Sequence, residues 1–309
     1  MKKTIISLLL LVLVFSSAGI AGAQSEKPIV LGEGDWPGIR AKNAVVSVIL
    51  KSMGHEVESM LAQDPLLHQG LTQGDVDAFL GSWMPQITDM RKKYKGQYEY
   101  VTQNMTDGIY TMAVPSYVWE AGVKSYADLE KFADKFDKKL YVGPAGWASE
   151  KTMKKAIEND IYNLGDWETV NSSQSAMMAQ VEKSINNEEF IIFVGWRPHW
   201  MNTKFDIKYL NDPERLWESP YSWVDTLVRK GFEEDYPQAY RFLQQFRVDV
   251  EANDKWIYEI GYNESDPNKV AKEWIKSNIT EVRRWLSLVK TVDGKNAYQK
   301  LIDDLNISG

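Results

Sequence analysis

The chain contains no cysteine. That excludes disulfides, thiolate metal centres and a cysteine nucleophile. It also excludes the lipid-bearing cysteine that anchors a bacterial lipoprotein. Histidine is nearly as scarce: His55, His68 and His199 are the only three, and they stand far apart with none of the spacings of a metal site. No glycine-rich phosphate loop and no Gly-Xaa-Ser-Xaa-Gly elbow occurs. Beyond residue 17 no long apolar run recurs, so nothing there reads as a spanning helix of roughly 20 apolar residues. Basic residues are outnumbered 43 to 36, a net charge of −7, and such a chain repels nucleic acid and anionic lipid. Internal repeats and low-complexity segments are absent as well.

What is present begins with a secretory signal. Lys2 and Lys3 precede an apolar run over residues 4–17, and Ala21-Gly22-Ala23 offers small residues for cleavage. Cleavage after Ala23 is expected, which leaves about 286 residues, more than one core usually organises, and predicts two domains. An exported protein without a lipid anchor is retained behind an outer membrane, so the periplasm is the expected compartment.

The rest of the chain repeats a strand–loop–helix rhythm. Residues 28–32 and 76–80 read as buried strands, with a helix over 41–53 stopped by Gly54. A second series starts at Gly108. It has strands over 109–114, 140–143 and 190–194, and helices over 149–159 and 175–186. This is the pattern of an α/β sheet covered by helices. The last third is helical, and residues 267–288 predict one long helix with Trp274 and Trp285 on its core face. Asp75 and Asp77 share a strand face. They read as a solvent-facing flank rather than the carboxylate pair of a sugar hydrolase.

Tryptophan is the unusual abundance, at 12 residues. Four of them follow apolar strands in loops rich in Gly and Pro: Trp36 in Gly34-Asp35-Trp36-Pro37, Trp83 in Gly81-Ser82-Trp83, Trp147 in Gly143-Pro144-Ala145-Gly146-Trp147, and Trp196 in Gly195-Trp196. Ligands of open α/β sheets bind at the carboxyl ends of strands, so four rings there point to an aromatic cage. A quaternary ammonium has no N–H to donate, and ring faces are what can hold it. The Gly146-Trp147-Ala148-Ser149 segment runs into a helix whose free amides and positive dipole end suit a carboxylate. Gly146, Ala148 and Ser149 are therefore candidate contacts, with Ser149 equally suited to capping that helix. Trp200 is expected to support the Trp196 loop, Trp119, Trp167, Trp217 and Trp256 to pack, and Trp223, in the hinge-return segment Tyr221-Ser222-Trp223, follows no clear pattern and is more readily a structural ring than a cleft one.

Three segments carry a resemblance: Phe79-Leu80-Gly81-Ser82-Trp83-Met84-Pro85, Ile109-Tyr110-Thr111-Met112-Ala113, and Phe193-Val194-Gly195-Trp196-Arg197-Pro198-His199-Trp200-Met201. In this order, within a match over about residues 29–246, they resemble the substrate-binding proteins of ABC transporters for glycine betaine and choline. The resemblance implies an α/β, two-lobed periplasmic binding protein fold (type II, Venus-flytrap). Lobe one would be 24–107 plus 212–309, and lobe two 108–211. Trp36 and Trp83 would face Tyr110, Trp147 and Trp196 across the cleft, with His199 in a second layer of hydrogen bonding. It further implies a monomer that is not an enzyme, needs no cofactor or metal, and serves a permease and ATPase complex.

The sequence departs from both branches of that family. Gly38 stands where choline-selective relatives often have an acidic residue, and Asp35 precedes the ring instead. Gln86-Ile87-Thr88-Asp89 lacks the histidine of some betaine relatives. With the 146–149 amides, Gly38 favours glycine betaine. Choline, carnitine, proline betaine and trimethylamine oxide are the alternatives within the class. A carbohydrate-binding protein or hydrolase is the alternative outside it, since tryptophan also stacks on sugars.

Overall fold

Residues 27–217, 219 and 221–307 are described in this computed structural model, and the signal segment expected over residues 1–23 lies outside them. The strands are β1 (Ile29–Glu33), β2 (Val57–Leu61), β3 (Ala78–Met84), β4 (Tyr98–Pro115), β5 (Lys139–Gly143), β6 (Glu168–Asn171), β7 (Phe193–Arg197), β8 (Ile207–Tyr209) and β9 (Tyr221–Arg229). They form one sheet in the order β2-β1-β3-β9-β4-β7-β5-β6, with β8 on β4. Each end of this sheet is a parallel trio, β2-β1-β3 and β7-β5-β6. Parallel neighbours need crossover connections. The helices Pro37–Ser52 and Asp64–Gln73 supply them at one end, and Ala148–Glu158 and Gln174–Asn186 at the other. Antiparallel β9 and β4 join the two trios.

Burial divides along the same line. One apolar cluster draws its buried residues from 29–105 and 224–305, the other from 112–217. Trp83 packs against both. Among the described residues no helix is long and apolar enough to cross a membrane.

Three local expectations are corrected. The strand expected over 109–114 extends back to Tyr98, because β9 pairs along it and buries the polar Thr102 and Asn104. Asn104 Nδ2 satisfies two acceptors there, the Leu80 carbonyl at 3.1 Å and Thr226 Oγ1 at 3.0 Å. The helix expected over 267–288 is two helices, Pro267–Ser277 and Ile279–Trp285. Asn278 between them has φ −127° and ψ 36°, and its side-chain amide donates to the Trp274 carbonyl at 2.9 Å. Asp77 is buried rather than solvent-facing. Its Oδ1 accepts from Arg229 Nε at 2.6 Å and its Oδ2 from the Val30 N–H at 2.8 Å, while Asp75 is exposed.

Candidate ligand-binding site

The five rings singled out in the sequence come together where the two parallel trios face each other. Trp36 is the N-cap of Pro37–Ser52, in an extended conformation. A Cβ on Gly34 would stand 1.7 Å from the Trp36 ring, so the ring lies where only glycine leaves room. Trp83 and Trp196 are the penultimate residues of β3 and β7, inside the strand ends rather than past them. Trp147 is the N-cap of Ala148–Glu158. It folds back over Gly143, whose φ of +77° and clearance of 3.0 Å to the ring admit no larger residue without strain. Tyr110 on β4 pairs directly with Trp196 on β7.

Trp36, Trp83 and Trp196 line one small cavity, together with Gly38, Gly81 and Pro198. Tyr110 bridges the rings, with centroids 6.4 Å from Trp83 and 6.3 Å from Trp196. Trp147 meets Trp196 edge-on at 5.4 Å. These spacings are those of interacting aromatic pairs, and the negative ring faces suit a desolvated cation.

Two polar residues of this cavity were passed over in the sequence, Lys42 and Asn253. Both are buried. Lys42 Nζ donates to Asn104 Oδ1 at 2.8 Å, and burial lowers its pKa to about 7. Asn253 Oδ1 is sealed from solvent without a donor. The signal for Lys42 was a lysine set within the apolar stripe of 41–53; nothing local marked Asn253.

Beyond Tyr110 lies the start of the Ala148–Glu158 helix. Ser149 donates its hydroxyl hydrogen to the Val142 carbonyl at 2.7 Å, which leaves the Tyr110 hydroxyl as the donor to Ser149 Oγ at 3.1 Å. Ser149 therefore does not cap its helix. The Gly146 N–H goes to Glu150 Oε2 at 2.7 Å, and Lys154 and this amide hold the Glu150 carboxyl below its usual range. The Ser149 amide is directed at the Tyr110 oxygen. Of the three amides expected to await an anion, Ala148 alone has no acceptor among the described residues. Burial pushes the Tyr110 hydroxyl up to about 12, so it stays protonated.

The supporting layer is aromatic too. His199 lies 4.6 Å from Trp196, accepts the Met201 N–H at Nδ1 (3.2 Å), and is held neutral by burial, its pKa lowered to about 3. Trp200 packs on His199, Phe205 and Tyr262. Trp217 stands 5.7 Å from Tyr110 and donates Nε1–H to the Tyr126 hydroxyl at 2.6 Å. Trp223, half-buried on β9, pairs with Met84. Asp35 is exposed.

Comparisons with known proteins agree with this geometry. The family model described as the substrate binding domain of an ABC-type glycine betaine transport system matches residues 27–277. The glycine betaine/carnitine transport binding protein GbuC of Listeria monocytogenes is 38% identical over 143 residues, which cover 45% of this chain and 47% of that protein, so the match spans about half the length of the relative. An ABC-transporter choline binding protein solved with choline is 28% identical at a TM-score of 0.84, covering 90% of this chain and 98% of that one. The lactococcal OpuAC, solved closed on glycine betaine, is also 28% identical, at a TM-score of 0.77, covering 84% and 99%.

Proposed function

Because the chain belongs to the family of substrate-binding domains of ABC-type glycine betaine transport systems, we propose that it captures a trimethylammonium solute of the glycine betaine and choline class and delivers it to an ABC permease. The observation that carries this reading is the convergence of Trp36, Trp83 and Trp196 on one cavity, with Tyr110 and Trp147 against them. A nitrogen bearing only carbon substituents cannot be read by hydrogen bonds. Each ring face contributes roughly 0.5–2 kcal/mol when desolvated, enough in sum for about micromolar binding after association costs.

In this reading residues 24–107 with 212–309 form one lobe and 108–211 the other. Trp36 and Trp83 then come from lobe one, and Tyr110, Trp147 and Trp196 from lobe two. The ligand's oxygen end meets the Gly146, Ala148 and Ser149 segment, where the Ala148 N–H is the open donor. Ligand contacts on both lobes favour the closed state by hinge motion, and the permease and ATPase complex reads that state. The protein works as a periplasmic monomer, without cofactor and without catalysis of its own. The family is one of transport proteins.

The test is a calorimetric titration of ligand-stripped protein with glycine betaine, with choline, and with unmethylated glycine as control. Binding of either methylated solute, lost in Trp83→Ala and Trp196→Ala and absent with glycine, is the expected result. Heat from neither solute would end this reading and return the rings to the sugar-binding alternative.

A further inference from the structure

One ionisable side chain shares the cavity of the rings. Lys42 lines it beside Trp36, Trp83 and Trp196, and no other titratable residue among the described ones does. Helical spacing puts it there. Trp36 caps Pro37–Ser52, and Ile39 and Lys42, three residues apart, present one face of that helix to the cavity. Asn253 and Ile257, four apart, do the same for Val250–Ile257. Lys42 is only 3% exposed.

What its amine meets is uncharged. Nζ donates to Asn104 Oδ1 at 2.8 Å, and Asn104 is fixed in turn by its bonds to the Leu80 carbonyl and Thr226. Asn253, the other polar residue of the cavity, carries no charge either. The charges on the elements packed around Lys42 are spent on one another or exposed. Arg40 of its own helix pairs with Glu33 of β1 at 3.5 Å, while Lys51 and Glu58 of β2 are exposed. On Val250–Ile257, Asp254 holds Arg197 of β7 at 3.2 Å, Glu251 reaches the same Arg197 at 3.5 Å, and Lys255 is exposed. Glu259 accepts from Asn263 and Ser265. Lys269 pairs with Glu273 and Lys300 with Asp304, while Lys272, Lys276 and Asp303 are exposed. Burial, with no neighbouring charge to offset it, is thus what lowers the Lys42 amine to about 7.

We propose that Lys42 determines the affinity of the cage for its cation: the rings take a trimethylammonium group only beside a neutral Lys42 amine, and binding expels the proton from a charged one. This rests on the cage reading of the proposed function and adds the charge state that the cage must reach before it fills. Two like charges in one water-excluded cavity repel far more than they would in water, and Asn104 supplies no negative charge to offset them. The proton passes from Nζ to solvent. Choline and glycine betaine do not change charge between pH 6 and 8.5, so neither takes it up.

Asp64, at the start of the Asp64–Gln73 helix, titrates in the same range, its carboxyl pushed up to about 7 by burial. It lies outside the cavity, and Asp64→Asn serves as the control. Choline is titrated calorimetrically into ligand-stripped wild type, Lys42→Met, Lys42→Gln and Asp64→Asn, after thermal melts confirm folding. Each titration is run at pH 6 and pH 8.5, in two buffers of different ionisation enthalpy. Wild type and Asp64→Asn are expected to release about one proton per choline at pH 6 and none at pH 8.5, with a Kd about tenfold higher at pH 6. The Lys42 variants are expected to release none and to hold their Kd within twofold between the two pH values. Wild type that binds choline equally at both pH values, without proton release, overturns the role of Lys42 and leaves the cage reading intact. So does a release that survives in the Lys42 variants and disappears in Asp64→Asn. Wild type that binds neither choline nor glycine betaine at pH 8.5 overturns the cage reading, and this inference with it.

Discussion

Lys42 Nζ donates to Asn104 Oδ1, 2.8 Å away, so the ionisable group that lines the ring cavity leans on an uncharged partner. Burial has lowered its pKa from 10.5 to about 7. The unfolded chain then holds the extra proton between those two values, and stability rises as pH rises from about 7 toward 10.5. Below 7 the cost of charging a buried amine is fully present. Lys42→Met removes that cost and leaves Asn104 Oδ1 without its donor. The variant is expected to gain on wild type by on the order of a few kcal/mol in going from pH 10 down to pH 6. Urea unfolding of both proteins at the two pH values checks it, and parallel pH profiles would remove Lys42 from the balance.

The rings divide into those that hold ligand and those that hold rings. Trp83→Ala and Trp196→Ala each remove a face of the cavity and are expected to weaken ligand binding roughly 10- to 100-fold, from the cation–π contribution together with lost contact area. Trp200→Ala touches His199, Phe205 and Tyr262 instead. It is expected to lower the melting temperature with less than a fivefold change in Kd. Calorimetry paired with thermal melts separates the two effects; equal losses of affinity in all three variants would contradict the division.

Which parts of this arrangement could be read from the chain follows from how local each cause is. Trp83 and Trp196 announce themselves because glycine, ring and proline are neighbours in sequence, and the strands that carry them are short apolar runs. The break at Asn278 was invisible to periodicity, since the apolar stripe keeps phase on both sides while one amide captures the Trp274 carbonyl. Asp77 looked solvent-facing because its partner, Arg229, is 152 residues away. The front half of β4 reads as polar alternation, and only pairing with β9 explains why Thr102 and Asn104 are inside.

Acid should unfold this protein through its histidines. Burial lowers His68 to about 4 and His199 to about 3, against an ordinary value of 6.5. Both are neutral when folded and take up a proton when unfolded, so the stability they contribute is present above pH 6.5 and is lost as pH falls toward those folded values. At pH 4.5 the loss should amount to about 2–3 kcal/mol for each ring. His199→Gln keeps a polar group beside Gln174 and the Met201 amide, and it should flatten the fall in melting temperature between pH 6.5 and 4.5. An unchanged slope would assign acid unfolding to other groups.

Asp254 ties the two cores together at the edge of the rings. It sits on the Val250–Ile257 helix, beside the first core, and accepts from Arg197 Nε at 3.2 Å and from the His199 N–H at 3.0 Å, both at the end of β7 in the second. Arg197 follows Trp196 directly, so this pair bears on the position of a ligand ring without touching the cavity itself. Lys151 and Asp89 make a second such link, but both side chains are largely exposed, and exposed pairs contribute little. If the lobes close on ligand as proposed, removing this half-buried tie should favour the open form of the free protein. Asp254→Ala is expected to enlarge the radius of gyration of ligand-free protein in solution scattering and to weaken ligand binding about 3- to 10-fold. The liganded variant should scatter like liganded wild type, because the rings are intact. A variant with weakened binding but an unchanged ligand-free radius would mean that Asp254 acts on the placement of Trp196 and not on closure.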